Sequence, residues 1–292
     1  MLMRRFLTIA LFWGSALAGA AQAIEIVNLP ATPRRPALTL HWAPLGDARA
    51  RPVVVALHGC GGLFGRDGRL LEARYPGYVE RLHALGFHVL LPDSFGSRGL
   101  GSLCTQPYGA RSVTIADRRA DVLDALAWLQ TQPRVDVDRI ALLGWSNGAS
   151  TALSVIDATQ APPAPPLAAA VLFYPGCGPF RSAEPAARAV LMQLGADDDW
   201  TPPAPCVALA RRWQSEWREV GLDVYAGAYH GFDSDNPVRY RGDVGNGRNP
   251  AGVHLGGNPE AFRASQARLA EFLAARLGGG GESPPANAKP TP

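Results

Sequence analysis

The sequence predicts an α/β fold in which a mostly parallel central sheet is covered on both faces by helices. Short apolar runs recur along the chain, and stretches with helical periodicity separate them. Gly, Pro or Asp follows most of the runs, as is typical of strands that are buried on both faces. Alternation of strand and helix favours a parallel sheet, because parallel neighbours need a crossover connection.

The runs and the periodic stretches give the individual elements. Six buried strands are predicted at residues 53–57, 87–91, 140–143, 168–173, 190–194 and 224–229. The run at 37–42 alternates less cleanly and predicts an edge strand. Five helices are predicted at residues 70–85, 114–129, 146–156, 206–220 and 259–277. No linker or repeat interrupts these elements, so residues 24–277 are expected to form a single domain, followed by a disordered Gly- and Pro-rich tail at 278–292.

The N-terminus has the organisation of a signal peptide. Arg4 and Arg5 precede an apolar stretch at 6–20, and A-Q-A at 21–23 fits the small-x-small cleavage rule. The stretch is shorter than the roughly 20 residues that a membrane span needs. We expect a signal peptide at 1–23, a periplasmic or secreted location, and no stable membrane association after cleavage. An uncleaved anchor is the alternative.

Composition excludes some classes of function. The chain has 292 residues, enough to bury a full core, and a net charge of +3. Because the basic residues are scattered, nucleic acid is not expected as a partner. No spacing of Cys, His and acidic residues argues for a metal site. Nothing in the sequence indicates the oligomeric state, and the spacing of the four cysteines leaves three disulfide connectivities open.

The pentapeptide G-W-S-N-G at residues 144–148 predicts the nucleophile. It follows one predicted strand and opens the next helix, which is the context that the G-x-S-x-G nucleophile elbow requires. The tight turn demands small residues two before and two after Ser146, and it exposes the hydroxyl at the sheet edge. The helix N-terminus behind it favours developing negative charge. An ordinary turn with a capping serine is the alternative.

A serine hydroxyl needs a base, and the chain order of this arrangement is Ser, acid, His. His230 directly follows the strand predicted at 224–229, so it is expected at the same sheet edge as Ser146. His254 lies in a loop rich in Gly and Asn and is expected to face solvent.

The acid is expected in A-D-D-D-W-T-P at residues 196–202, after the strand predicted at 190–194. An orienting carboxylate fixes the histidine tautomer and stabilises the imidazolium. The usual spacing of four residues before the proline selects Asp198, with Asp197 as the alternative. The other aspartates of the run would form a solvated, helix-capping turn. Trp200 is predicted as a substrate contact.

The sequence H-G-C-G-G at residues 58–62 predicts an oxyanion hole. Glycine-rich turns after a strand let a backbone N–H approach the substrate. The amides of Cys60 and Asn147 are the predicted donors. His58 is expected to brace the loop rather than to take part in catalysis. A glycine turn required only for packing is the alternative.

Over roughly residues 50–275 the chain resembles the dienelactone hydrolase family, a branch of the α/β-hydrolases. The resemblance rests on the segments at 58–62, 92–95, 144–148, around Asp198, and at 230–232. It implies the α/β-hydrolase fold and a small single-domain enzyme without a cofactor. It also implies that Arg98 could hold a substrate carboxylate, with a solvent-facing arginine as the alternative.

The chain departs from the family at the nucleophile. Enzymes that open dienelactones use a cysteine with a glutamate in the early loop, whereas this chain has Ser146 and Gly59 at those positions. A general serine esterase of the same lineage is therefore expected.

The sheet order that the resemblance implies makes the strands before Cys60 and Cys104 neighbours, and likewise those before Cys177 and Cys206. We expect the disulfides Cys60–Cys104, which would stiffen the oxyanion loop, and Cys177–Cys206, which would hold the loop of Asp198. Four unpaired thiols are the alternative.

Three hypotheses about function follow. The first is a serine hydrolase that cleaves small esters or lactones through an acyl-enzyme on Ser146. The second is an esterase, depolymerase or peptidase acting on larger substrates, which a long insertion forming a lid or groove would support. The third is a non-catalytic secreted binding protein, which the presence of all three predicted residues in order disfavours.

Overall fold

A computed structural model describes residues 24–278 of the chain, except residues 34, 66, 164, 165 and 217. The predicted signal peptide at 1–23 and all of the predicted tail beyond Gly278 lie outside these residues. None of the helices in the described part has both the length and the apolar character needed to cross a bilayer.

The central sheet contains eight strands and is mostly parallel. In chain order they are β1 (Glu25–Leu29), β2 (Leu38–Ala43), β3 (Arg51–Leu57), β4 (His88–Asp93), β5 (Val135–Trp145), β6 (Ala169–Phe173), β7 (Val190–Gly195) and β8 (Val220–Tyr225). Their spatial order is β1-β2-β4-β3-β5-β6-β7-β8. The two pairings of β2, with β1 and with β4, are antiparallel, and every pair from β4 to β8 is parallel. The predicted fold class is confirmed.

Five α-helices cover the two faces of this sheet. They are α1 (Arg74–Ala84), α2 (Ile115–Gln130), α3 (Asn147–Ile156), α4 (Ala204–Ser215) and α5 (Pro259–Leu277). Buried side chains of α2, α3 and α4 form one apolar cluster, and those of α1 and α5 form another. Strand β3 contributes alternately to the two clusters, Val53 and Val55 to the first and Val54 to the second, because successive strand side chains point to opposite faces.

Several sequence predictions are corrected by the structure. The strand predicted at 37–42 is not at the edge, because β1, which was not predicted, pairs outside it. The strand predicted at 224–229 is β8, which ends at Tyr225, and the helix before it ends at Ser215 instead of reaching 220. Strand β8 is an edge strand whose Val224 is 45% exposed. It therefore lacks the continuous buried apolar run from which the strand bounds were predicted.

A segment at residues 235–257 was predicted only as loop and contains a small hairpin. Its strands are β9 (Arg239–Arg241) and β10 (Val253–Leu255), paired antiparallel. Val244 and Val253 of this segment are buried in a cluster with Trp200, Cys60 and Cys104. The 235–257 segment therefore packs against the loops that follow β3 and β7.

Both expected disulfides are present. Cys60 after β3 is bonded to Cys104, and Cys177 after β6 is bonded to Cys206 in α4, with Cα–Cα distances of 4.9 and 5.1 Å. Disulfides are typical of proteins in oxidising compartments. Each bond ties together two connections at the carboxyl edge of the parallel strands, where the sheet itself provides no hydrogen bonds.

A buried carboxylate, Asp233, joins the loop of His230 to three other parts of the fold. It accepts hydrogen bonds from Arg74 Nη1 in α1 (2.5 Å), Tyr78 Oη in α1 (2.6 Å), Tyr174 Oη after β6 (2.6 Å) and Trp145 Nε1 at the end of β5 (2.9 Å). Burial raises the pKa of Asp233, but the Arg74 charge and the hydroxyl donors outweigh it and hold that pKa below its usual value. A fully paired buried charge fixes the relative positions of all its partners.

Asp233→Asn should strongly destabilise the protein, because it removes the buried anion of the Arg74 guanidinium and leaves only the partly exposed Glu72, 3.8 Å from its Nε. We expect urea unfolding to give a loss of about 3–5 kcal/mol. Asp136→Asn is the matched control, because its partly exposed pair with Arg139 is worth less than about 1 kcal/mol. The Asp233 contribution should be complete above about pH 4 and be lost at lower pH, so that the stabilities of variant and wild type converge in acid. Equal effects of the two substitutions would contradict this account.

The double variant Cys177→Ser with Cys206→Ser should be less stable than wild type by about 3 kcal/mol, because the disulfide closes a loop across a separation of 29 residues. Urea unfolding measures the loss, and dithiothreitol should abolish most of the difference from wild type. Peptide mapping of the oxidised protein should recover Cys60 with Cys104 and Cys177 with Cys206. Any other pairing would refute the connectivity.

Candidate active site

Ser146 stands in the tight turn between β5 and α3. Its backbone has φ 54° and ψ −115°, a left-handed conformation that is costly for a residue with a side chain. A Cβ at Gly144 would lie 2.6 Å from the Ala149 nitrogen, and one at Gly148 would lie 2.0 Å from the Leu57 carbonyl oxygen. Both glycines of the predicted elbow are therefore required by close backbone approaches.

His230 lies between Ser146 and Asp198. Its Nε2 is 2.9 Å from Ser146 Oγ, and its Nδ1 is 2.8 Å from Asp198 Oδ2. Both His230 and Asp198 are buried, each with 4% of its surface exposed. The three residues come from the ends of β5, β7 and β8, which the parallel sheet brings to one edge. A hydroxyl, an imidazole and a carboxylate are thus linked in the order that general-base activation of a serine needs.

The Asp198 carboxylate is fixed by the turn that carries it. Its Oδ1 accepts from the backbone N–H groups of Trp200 (2.9 Å) and Thr201 (2.8 Å), and its Oδ2 accepts from Thr201 Oγ1 (3.0 Å). Thr201 Oγ1 also lies 3.1 Å from His230 Nδ1. These donors hold in place the carboxylate oxygen that faces the imidazole.

The neighbouring aspartates have different surroundings. Asp197 is exposed. Asp199, expected in a solvated turn, instead accepts from the backbone N–H of His254 (2.8 Å), and its Oδ2 is 2.7 Å from His254 Nδ1. His254, expected in a solvent-facing loop, lies in β10 with its ring between those of Tyr229 and Tyr240. This pair attaches the 235–257 segment to the turn of Asp198, a contact that no sequence pattern indicated.

The loop after β3 passes close to Ser146. A Cβ at Gly59 would lie 3.5 Å from the Trp145 carbonyl oxygen and 3.8 Å from Ser146 Cβ, so a larger residue there would approach the serine. The Cys60 carbonyl oxygen accepts from the Leu103 N–H at 2.8 Å. Together with the Cys60–Cys104 disulfide, this bond ties the loop to the segment after β4. Asn147 is the first residue of α3, so its N–H has no acceptor within the helix.

His58 is buried beneath this loop, as expected of a bracing residue. Its Nδ1 is 2.9 Å from the Gly59 carbonyl oxygen, and its ring centroid is 4.6 Å from that of Phe95. Burial, reinforced by the positive charge of Arg118, holds the pKa of His58 well below its usual range. His58 is therefore neutral at physiological pH.

The two predicted substrate contacts differ in their surroundings. The Arg98 guanidinium donates to both oxygens of the buried Asp121, at 2.8 and 2.9 Å, and to the Ser94 carbonyl oxygen at 2.6 Å. This pairing holds the loop after β4 to α2 and leaves Arg98 few free donors. The Trp200 ring lies 4.7 Å from the His230 ring, between centroids, and is largely buried. The ring centroid of Tyr174 lies 4.6 Å from that of the same imidazole.

Within residues 24–278, apart from the few left undescribed, no group of three or more His, Cys, Asp or Glu side chains is arranged to hold a metal ion. The two networks that sequence reasoning missed, around Asp233 and Arg118, have no short motif. Their members are far apart in the chain. The one signal that the sequence offered was a charged residue, Arg74 or Arg118, among the apolar positions of a predicted helix.

Comparisons with known proteins agree with this geometry. A profile of the dienelactone hydrolase family matches residues 43–275. In a sequence comparison with curated proteins, no match was found. Thermogutta terrifontis esterase 2 phosphoramylated by tabun has a TM-score of 0.59 and 18% identity, over 90% of this chain and 97% of that chain.

Two other forms of the same esterase are equally similar. The form phosphorylated by paraoxon has a TM-score of 0.60 and 18% identity, covering 89% of this chain and 96% of that chain. The native form has a TM-score of 0.58 and 20% identity, covering 89% and 95%. At such identities the likeness shows a shared fold, while the family match covers most of the chain. The chain therefore belongs to the dienelactone hydrolase family and is a hydrolase that acts on ester bonds.

Proposed function

We propose that this chain is an exported serine hydrolase that cleaves small carboxylic esters or lactones through an acyl-enzyme on Ser146. The observation that carries the proposal is the continuous hydrogen-bond chain from Ser146 Oγ through His230 to Asp198, at 2.9 and 2.8 Å. The two disulfides and the N-terminal sequence support a periplasmic or secreted location.

In the proposed reaction, Ser146 Oγ forms a bond to the ester carbonyl carbon while its proton passes to His230 Nε2. Asp198 stabilises the imidazolium through Nδ1. The amides of Cys60 and Asn147 receive the negative charge that develops on the carbonyl oxygen. Collapse of the tetrahedral intermediate breaks the bond to the alcohol oxygen, which takes the proton from His230. Water, deprotonated by His230, then releases the acid and restores Ser146.

Two observations favour a small substrate. The 235–257 segment packs on Trp200 and on the Cys60–Cys104 loop, so it borders the site beside the proposed oxyanion hole. Structures of Thermogutta terrifontis esterase 2 include propionate- and butyrate-bound forms, which are short acyl groups. Ser146 in place of the family's cysteine favours a general esterase over a dienelactone-specific enzyme. A depolymerase or peptidase acting on larger substrates is the second candidate.

Ser146→Ala should abolish covalent labelling by a fluorophosphonate probe and lower hydrolysis of p-nitrophenyl acetate and butyrate by about 10⁴- to 10⁶-fold, because the nucleophile is removed. Intact-protein mass spectrometry and initial rates measure the two effects. Ser154→Ala, a buried serine of α3 away from His230, should label and react as wild type does. Absence of labelling and hydrolysis in folded wild type would support the non-catalytic binding protein instead.

The choice of acid can be tested with isosteric substitutions in one turn. Asp198→Asn should lower kcat by about 10⁴-fold, because the amide favours the wrong tautomer of His230. Substitution of the exposed Asp197 by Asn should change kcat less than about twofold, because solvent and salt screen its charge. A larger loss for Asp197→Asn than for Asp198→Asn would reverse the assignment.

A further inference from the structure

Arg118 of α2 is a buried cation beside the proposed oxyanion hole. It has 1% of its surface exposed and is among the largest fully buried side chains. Its Nη1 donates to Asn147 Oδ1 at 2.5 Å, and its Nη2 donates to the His58 carbonyl oxygen at 2.8 Å. Both acceptors are neutral groups.

This guanidinium has no anionic partner in the described part of the chain, where no carboxylate oxygen lies within 4.0 Å of its nitrogens. Its Nε has no hydrogen-bond partner. The acids of the surroundings are used elsewhere, since Asp121 binds Arg98 and Asp93 accepts from the Gly96 N–H. The ring of Phe95, 5.1 Å from the guanidinium carbon, provides only a weaker cation–π contact.

Such a group is costly, because an unpaired buried charge loses its hydration without gaining a counter-ion. Burial lowers the pKa of Arg118 to about 10, so the side chain still carries its charge at neutral pH. A methionine or leucine at this position would fill the space between α2 and the sheet without the free-energy cost of burying a charge. Packing therefore does not explain why this residue is charged, whereas a role in the function of the site would explain it.

The two acceptors belong to the two segments that supply the oxyanion donors. Asn147 follows Ser146, and its backbone N–H is one proposed donor. His58 lies two residues before Cys60, whose N–H is the other. The guanidinium is planar and its fork geometry is rigid, so it fixes the distance between the start of α3 and the end of β3.

We propose that Arg118 is the positioning residue of the oxyanion hole, holding Asn147 and the loop of Cys60 at a fixed separation while its positive charge, which no described carboxylate contacts directly, favours the oxyanion of the transition state. The inference rests on the proposed function of Ser146 and deepens it. Arg118 contacts neither substrate nor nucleophile. It acts through the two segments and through its field, which is strong in a site of low dielectric.

The alternative is that Arg118 only anchors α2 to the sheet. The two accounts differ in what its removal changes. An anchor affects the free energy of unfolding, whereas a positioning residue of the oxyanion hole affects kcat and the binding of transition-state analogues but leaves KM nearly unchanged.

The test compares Arg118→Met and Arg118→Lys with Arg35→Met. Arg35 is the matched control, because it is also a buried arginine bonded to α2, through Asp124, but its other hydrogen bonds go to the Pro30 and Pro36 carbonyl oxygens rather than to the segments of the oxyanion hole. Thermal unfolding measures stability. Rates with p-nitrophenyl acetate give kcat and KM, and a trifluoromethyl ketone gives the affinity for a tetrahedral oxyanion.

For Arg118→Met we expect kcat to fall by about 10- to 100-fold and the ketone Ki to rise by a similar factor, with KM within about twofold of wild type. Arg118→Lys should show a smaller loss in kcat and Ki, because it keeps the charge but cannot bridge both acceptors. Arg35→Met should lower the Tm and leave kcat and Ki unchanged.

Unchanged kcat and Ki in folded Arg118→Met would overturn the inference, as would equal kinetic losses in Arg35→Met. If Arg118→Met does not fold, Arg118→Lys decides, and wild-type kcat and Ki in that variant would overturn the positioning role. Wild type that neither hydrolyses p-nitrophenyl acetate nor reacts with a fluorophosphonate would overturn the proposed function and this inference together. An active wild type with insensitive Arg118 variants would overturn this inference alone.

Discussion

The organisation of the site depends on one backbone constraint, the left-handed conformation of Ser146 at φ 54°. This conformation lets β5 turn directly into α3 and exposes the hydroxyl. It also forces backbone atoms together, so that Gly144 and Gly148 must lack a Cβ. Because α3 then contacts the end of β3, the loop of Cys60 is brought beside the serine. The positions of the proposed nucleophile and of the proposed oxyanion loop thus have one steric cause.

Two buried charges stabilise this arrangement in different ways. Asp233 is surrounded by four donors and ties Trp145, the residue before Ser146, to α1 and to the loop of His230. A charge so fully paired fixes geometry at little electrostatic cost. Arg118 instead donates only to neutral acceptors, so its charge is less fully paired than that of Asp233. Asp233 stabilises the fold, whereas the charge of Arg118 is explained by the chemistry proposed for the site.

Membership of the dienelactone hydrolase family makes the chain a hydrolase that acts on ester bonds. A serine needs a base throughout the reaction, because its hydroxyl is much less acidic than a thiol, and the buried His230–Asp198 pair is placed to meet that need. The disulfides and the 235–257 segment enclose the same edge of the sheet, where connections are least supported by strand hydrogen bonds.

The sequence by itself determined the α/β architecture and the local turn at Ser146, because periodicity and steric demands for glycine act between residues that are near in the chain. It also indicated His230, since strand ends of a parallel sheet meet at one edge. Spacing before Pro202 selected Asp198 but left Asp197 open, and the tertiary structure decided between them, because one turn directs the neighbouring carboxylates differently. It likewise revealed β1, the 235–257 hairpin, and the networks of Asp233 and Arg118. These depend on contacts between distant segments, which composition and spacing do not encode.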